Sequence, residues 1–439
     1  MKRSTAAVLI CFLLPLVWSC EFPLWGRGFA WLCFDDEPSG GYLAPYDFSA
    51  KKVSEKDSQF VAYQGSACGK MVRPNNGSTV SMQGAIEIPR WATYATVFLN
   101  GWKLEYANDD HHVNTFGVGI GHIQLTQNQN RIRVTWRVMG VLEDRKHDDG
   151  YNFCYHYTVI AWNEAKINLA VDHDENCTGG RSTYNMYPIA GYLQNSVFKK
   201  RVTVGVVPRG FFFALANHDQ DHHLLQLSYN IIGSERVLQN KVYNNYPEST
   251  NTLPQNSSRY DSAGVLSWST QVIFKDNDER WEPFFGDNGY YFGEMVTGIG
   301  GEDLGVIHPP FLAMPLDDDG LVGGAVFGGS HLVVTKEFTI TNIPYENAVP
   351  ILSGWDLHYG PIDGDHHVRK IGIWISDWSY SKPFRASRGT LKYTLSTILT
   401  DDSQNLSAAN HRVTVLGIKP TALLQPEDGN ILPELDNDF

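Results

Sequence analysis

"YANDDHHVNTFGVGI" (Tyr106–Ile120) joins the end of one alternating strand to the start of another through a polar turn, and the chain uses the same device twice more, in "LANHDQDHHLLQLSYNI" (Leu215–Ile231) and "YGPIDGDHHVRKIGIWI" (Tyr359–Ile375). An Asp followed by two histidines marks each turn: Asp110-His111-His112, Asp221-His222-His223 and Asp365-His366-His367. Six, eight and ten residues after the Asp stand Phe116, Val118 and Ile120, then Leu227, Tyr229 and Ile231, then Ile371, Ile373 and Ile375. Residues two apart share one face of a strand, so one strand face is written three times.

The match extends in both directions. Upstream, an apolar run ("ATVFLN", "VTVGVV", "AVPILS") ends in a glycine and a large aromatic: Gly101-Trp102, Gly210-Phe211, Gly354-Trp355. Downstream comes a strand with a central aromatic, Trp136, Trp268 or Tyr393. It runs into an acidic turn, Asp144, Asp276 or Asp401, and a closing strand follows: "YHYTVIAW", "YYFGEMVTGI" or "HRVTVLGI". The Asp residues lie 111 and then 144 positions apart, a spacing for tandem domains and too long for a solenoid.

Periodicity fixes the class. "RIRVTWRV" places Ile132, Val134, Trp136 and Val138 on one face, and "TLKYTLSTI" does so with Leu391, Tyr393 and Leu395. This is the period of half-buried antiparallel strands. With 40 glycines and 21 prolines to make turns and no sustained helical period, the chain reads as all-β: three tandem antiparallel β-sandwich domains behind a small Cys-containing segment. The expected boundaries are a leader at 1–19, the N-terminal segment at 20–89, and repeats at 90–185, 195–305 and 335–420. A Gly-rich acidic linker at 306–334 ("PLDDDGLVGGAVFGGS") and a disordered tail at 421–439 complete the division.

"MKRSTAAVLICFLLPLVWSC" has a basic start at Lys2 and Arg3, an apolar stretch from Ala6 to Val17 and the small residue Ser19 before Cys20. That is a secretory leader, too short and one-sided for a membrane span. Its end resembles the lipobox of bacterial lipoproteins, which implies a lipid on Cys20 and a place in the cell envelope, as in outer-membrane lipoproteins. Trp18 departs from that pattern, so ordinary cleavage and secretion is the alternative. Export fits the cysteines: beyond Cys11 and Cys20, four remain, and sequence order favours disulfides Cys33–Cys68 and Cys154–Cys177 among three connectivities. The formal net charge of −13 disfavours nucleic acid as a partner.

The repeated turns are the first place to look for a site. In the architectural reading the Asp accepts backbone N–H bonds, and one His of each pair (His111 or His112, His222 or His223, His366 or His367) packs inward. In the second reading, Asn108 with Asp110, Asp219 with Asp221 and Asp363 with Asp365 set oxygens two residues apart, a spacing that suits Ca²⁺, with Asp144, Asp276, Asp278, Asp401 and Asp402 in reserve. A phosphoesterase family carries an Asp-His-His motif too, but its companion motifs and helices are missing from this sequence. Trp374, Trp378 and Tyr380, running into a Ser/Lys/Pro loop, are candidates for an exposed ligand-binding cluster. The functional expectation is a non-enzymatic binding, adhesion or assembly module whose partner is a cell-surface glycan, a protein or another copy of itself. The alternative is a secreted carbohydrate-active hydrolase with an inter-domain cleft, using paired carboxylates such as Glu302 and Asp303.

Overall fold

A computed structural model describes residues 42–43, 45, 47–56, 59–71, 79–108, 111–128, 131–144, 149–173, 178–182, 189–195, 203–215, 224–237, 264–276, 290–313, 333–359, 367–383, 385–401 and 406–420. The leader, Cys20, Cys33, Cys177 and the tail from 421 lie outside the described residues, as do Asp110, Asp219, Asp221, His222, His223, Asp363, Asp365, His366, Asp278 and Asp402.

The protein is all-β, as its periodicity requires. Four strands come first: β1 (Tyr42–Leu43), β2 (Asp47–Lys56), β3 (Phe60–Met71) and β4 (Val80–Ile88). The first repeat follows as β5 (Tyr94–Tyr106), β6 (Thr115–Asn128), β7 (Arg131–Glu143) and β8 (Tyr151–Trp162). Short strands β9 (Ala170–His173), β10 (Thr178–Ser182) and β11 (Ile189–Asn195) lead to the second repeat, β12 (Thr203–Leu215), β13 (Leu224–Val237), β14 (Gly264–Asp276) and β15 (Tyr290–Gly301). Then β16 (Leu304–Ile307), β17 (Leu312–Ala313) and β18 (Val334–Ile343) lead to the third, β19 (Asn347–Tyr359), β20 (Lys370–Ser381), β21 (Gly389–Thr400) and β22 (Leu406–Ile418). The alternation does what its period dictates: in β7, Ile132, Val134, Trp136 and Val138 are buried, whereas Arg131 and Arg133 face water.

The repeats differ from the expected tandem sandwiches in how they divide. Within each repeat the second and third strands pair in one sheet and the first and fourth in another, and the two halves are completed by neighbouring repeats. One sheet runs β1-β4-β7-β6-β12-β15-β10, with β9 also on β15; a second runs β11-β14-β13-β19-β22-β16, with β17 on β22; the third runs β18-β21-β20-β5-β8-β3-β2. The third sheet joins the third repeat back to the first, so the pairing closes in a ring. The N-terminal segment is no separate cap: β4 extends β7 and β3 extends β8. Part of the expected linker is likewise strand, since β16 and β17 both pair with β22. Lone four-strand repeats would leave open sheet edges, and shared sheets cover those edges with hydrogen-bonded strands.

The three opening strands, β5, β12 and β19, meet at the centre. Each carries a bulge just before its aromatic residue, at Leu99/Gly101, Pro208/Gly210 and Leu352/Gly354. The aromatics converge in a triangle: Trp102 and Phe211 have ring centroids 5.0 Å apart, Phe211 and Trp355 4.8 Å, and Trp102 and Trp355 5.8 Å. A bulge re-aims the side chains around it, here seating three equivalent rings on one another. Gly101 is required at its place: its φ is 139°, and a Cβ there would sit 2.2 Å from the Trp374 backbone. The bulged Asn100 is buried and ties repeat one to repeat three, its amide donating to Pro350 O (3.0 Å) while its carbonyl accepts from Leu352 N (2.9 Å).

Around this triangle an equivalent buried polar bond recurs in each repeat across its own two sheets. Trp136 Nε1 donates to the Tyr155 hydroxyl (3.3 Å), Trp268 Nε1 to Glu294 (2.9 Å), and the Tyr393 hydroxyl meets His411 Nε2 at 2.8 Å. These are the three central aromatics of the sequence repeat. Tyr155, Glu294 and His411 lie opposite Trp102, Phe211 and Trp355 in register. Glu294 is wholly buried and also accepts from Tyr229 (3.0 Å) and Thr270 (2.8 Å), the satisfaction a buried carboxylate demands.

The expected disulfides are corrected. Cys68 bonds to Cys154, residues directly opposite on β3 and β8, which overturns both Cys33–Cys68 and Cys154–Cys177. Sequence order favoured short loops, but cross-strand register brought together two thiols 86 residues apart.

Candidate functional site

The first and third turns meet. His111 forms an isolated bridge with Val368, its N–H donating to Val368 O (3.1 Å) and Val368 N–H returning to His111 O (2.9 Å). His112 and His367, equivalent second histidines of their pairs, place their ring centroids 4.0 Å apart. Strand alternation predicts at most one buried His per turn. His111 and His112 are both half-buried, and each buries one ring nitrogen, Nε2 of His111 and Nδ1 of His112. The inter-repeat contact closes over parts of both rings, which the alternation within one strand cannot express.

The other nitrogen of His111 faces two carboxylates. Nδ1 lies 3.3 Å from Asp149 and 4.0 Å from Asp144, and the three ligand atoms all fall within 4.8 Å of one another. Asp144 is buried at the end of β7, and Asp149 enters β8 from the same connection. Tyr106, the last residue of β5, lays its ring 4.6 Å from that of His111. Burial, then the negative field of Asp144 and, after it, Glu143 and Asp149, holds the Tyr106 hydroxyl protonated well above the usual tyrosine range. Of the oxygens expected to hold Ca²⁺, Asn108 is exposed at the surface, and among the described residues Asp144 is the reserve carboxylate that reaches this cluster. Asp401, its counterpart in the third repeat, is also buried. Asp149 carries no repeat signature, whereas the place of Tyr106 recurs at Tyr359.

The expected aromatic cluster is not an exposed platform. Trp378 is buried, Tyr380 is half-buried with its hydroxyl donating to Tyr345 O (2.5 Å), and Trp374 stacks on His156 with ring centroids 5.5 Å apart. The bulge between Ile375 and Asp377 breaks the alternation along β20 and rotates Trp378 inward. Of the paired carboxylates, Asp303 is held by structure, accepting the Asn168 N–H at 2.7 Å.

No family model matches the chain, and no curated protein matches it. A solved structure titled "Structure of infectious bursal disease virus Gt strain" aligns over 86% of this chain and 83% of that one at 10% identity, with a TM-score of 0.15, too low to carry an argument.

Proposed function

We propose that this chain is an exported, non-enzymatic binding, adhesion or assembly module, held at the cell envelope through Cys20 or secreted. The observation that carries the reading is the ring of shared sheets around the Trp102–Phe211–Trp355 triangle, which joins three repeats about one common core and leaves a partner to be met at the outer faces and ends. The Cys68–Cys154 bond supports an oxidising destination, since such bonds persist outside the reducing cytosol. A glycan, a protein or a further copy of the chain is the partner class. The hydrolase reading draws less support, because the repeats share strands where an inter-domain cleft was expected and Asp303 serves as a backbone acceptor.

The test is expression with the leader intact in a bacterial host, followed by fractionation, alongside Cys20→Ser. Recovery with membranes in the parent, and in the soluble exported fraction in the variant, is the expected result. A cytosolic protein with reduced Cys68 and Cys154 would sink the export reading, and turnover of a polysaccharide panel would sink the non-enzymatic one.

A further inference from the structure

We infer that His111, Asp144 and Asp149 form a zinc site within repeat one, at the turn that meets the third repeat. The donor set chooses the ion. Ca²⁺ takes six to eight oxygens, whereas one imidazole with two carboxylates suits a borderline ion such as Zn²⁺. The 3.3 Å separation of His111 Nδ1 from the Asp149 oxygen matches the roughly 3.4 Å edge of a tetrahedron with bonds of about 2.1 Å. The 4.0 Å separation from Asp144 needs a small side-chain rotation to close.

A second observation points to a ligand. Tyr106 and Tyr359 occupy equivalent places, four residues after Trp102 and Trp355. The Tyr359 hydroxyl donates to His367 O at 3.2 Å, but the Tyr106 hydroxyl, on a residue 1% exposed, has no hydrogen-bond partner among the described residues. Its ring lies against His111, and the charges of Asp144 and Asp149 act on it. A buried hydroxyl with nothing to bond is costly, and a water on the ion's fourth position supplies what the carbonyl of His367 supplies to Tyr359.

The consequence is mechanical. An ion on the His111 ring ties that turn to the connection between β7 and β8, and His111 is also the residue whose backbone bridges to Val368, where the ring of sheets closes. An ion bound only in the folded state raises stability with its concentration.

The experiment uses the full mature chain, stripped with chelator and titrated with Zn²⁺, Ca²⁺ and Mg²⁺ by calorimetry, with thermal melts in parallel. Zn²⁺ should bind at one saturable site and raise the melting temperature, and excess Ca²⁺ should not displace it. His111→Gln and Asp149→Asn should each weaken binding by at least about tenfold, given that loss of even an outer-shell partner costs about 10- to 100-fold. His367→Gln should leave it unchanged. In the unmutated protein, Zn²⁺ should protect His111 from carbethoxylation, mapped by peptide mass, so the test survives a variant that fails to fold. The inference is overturned if Zn²⁺ does not bind, leaving an Asp–His hydrogen bond only. It is equally overturned if protection falls on His112 and His367, or if both ligand variants fold and bind as the parent does.

Discussion

Replacing Trp102 and Trp355 by leucine, singly and together, tests whether three repeats share one core. Both side chains are essentially unexposed, at 0% and 1%. Cutting a buried tryptophan back to leucine removes part of its apolar contact and leaves a cavity, so each single change should cost about 2–4 kcal/mol, somewhat below the 3–5 kcal/mol typical of truncation to alanine. The two rings meet edge-on at 5.8 Å across the repeat boundary, and such pairs are worth about 0.5–1.5 kcal/mol beyond their area. The double variant should therefore be less destabilised than the sum of the singles by about that amount. Equilibrium denaturation followed by tryptophan fluorescence and far-UV circular dichroism would measure the cycle. Additivity within about 0.3–0.5 kcal/mol, the behaviour of distant independent sites, would refute the shared core. So would two resolved transitions of which each mutation moves only one.

Two further outcomes are expected. Cys68→Ser with Cys154→Ser opens a loop spanning 86 residues and should lower stability by about 4–5 kcal/mol in the chain-entropy model; a loss under about 1 kcal/mol by denaturant midpoint would contradict this. Burial lowers the pKa of His411 to about 4 and those of His156 and His173 to about 3. Their ordinary value, retained in the unfolded chain, is about 6.5. Between about pH 6.5 and pH 4 the unfolded state therefore binds more protons, and stability falls as pH falls, by up to about 1.4 kcal/mol per unit for each histidine. Urea midpoints that agree at pH 7 and pH 4.5 would contradict this.

The local structure was legible because it depends on neighbours one or two residues away. Alternation across Arg131–Val138 exposes Arg131 and Arg133 and buries Trp136 in the strand that forms. The threefold recurrence of Gly-aromatic, Asp-His-His and central-aromatic positions announced equivalent places, and those places became the bulges, the inter-sheet bonds and, in the first and third copies, turns that meet. Where alternation failed, a bulge was responsible: at Ile375/Asp377 one extra residue turned Trp378 inward, and no periodicity reports an insertion whose partner strand is unknown.

By itself the sequence determined that the chain is β, that it repeats three times, and which residues stand in equivalent positions, since these follow from period and spacing along one strand. Tertiary structure alone decided which repeat completes which sheet, because β6 could be continued by any strand with free N–H and C=O groups, and it is continued by β12 of the next repeat. That long-range choice paired Cys68 with Cys154 and brought His112 against His367 from 255 positions away along the chain. The neighbourhood of His111 is assembled within repeat one, where β5 pairs with β8 and sets Tyr106 opposite Tyr151, beside the connection that carries Asp144 and Asp149. Separation along the chain carries no information about which strands will share an edge, and the ring of shared edges is what brought the first and third turns together.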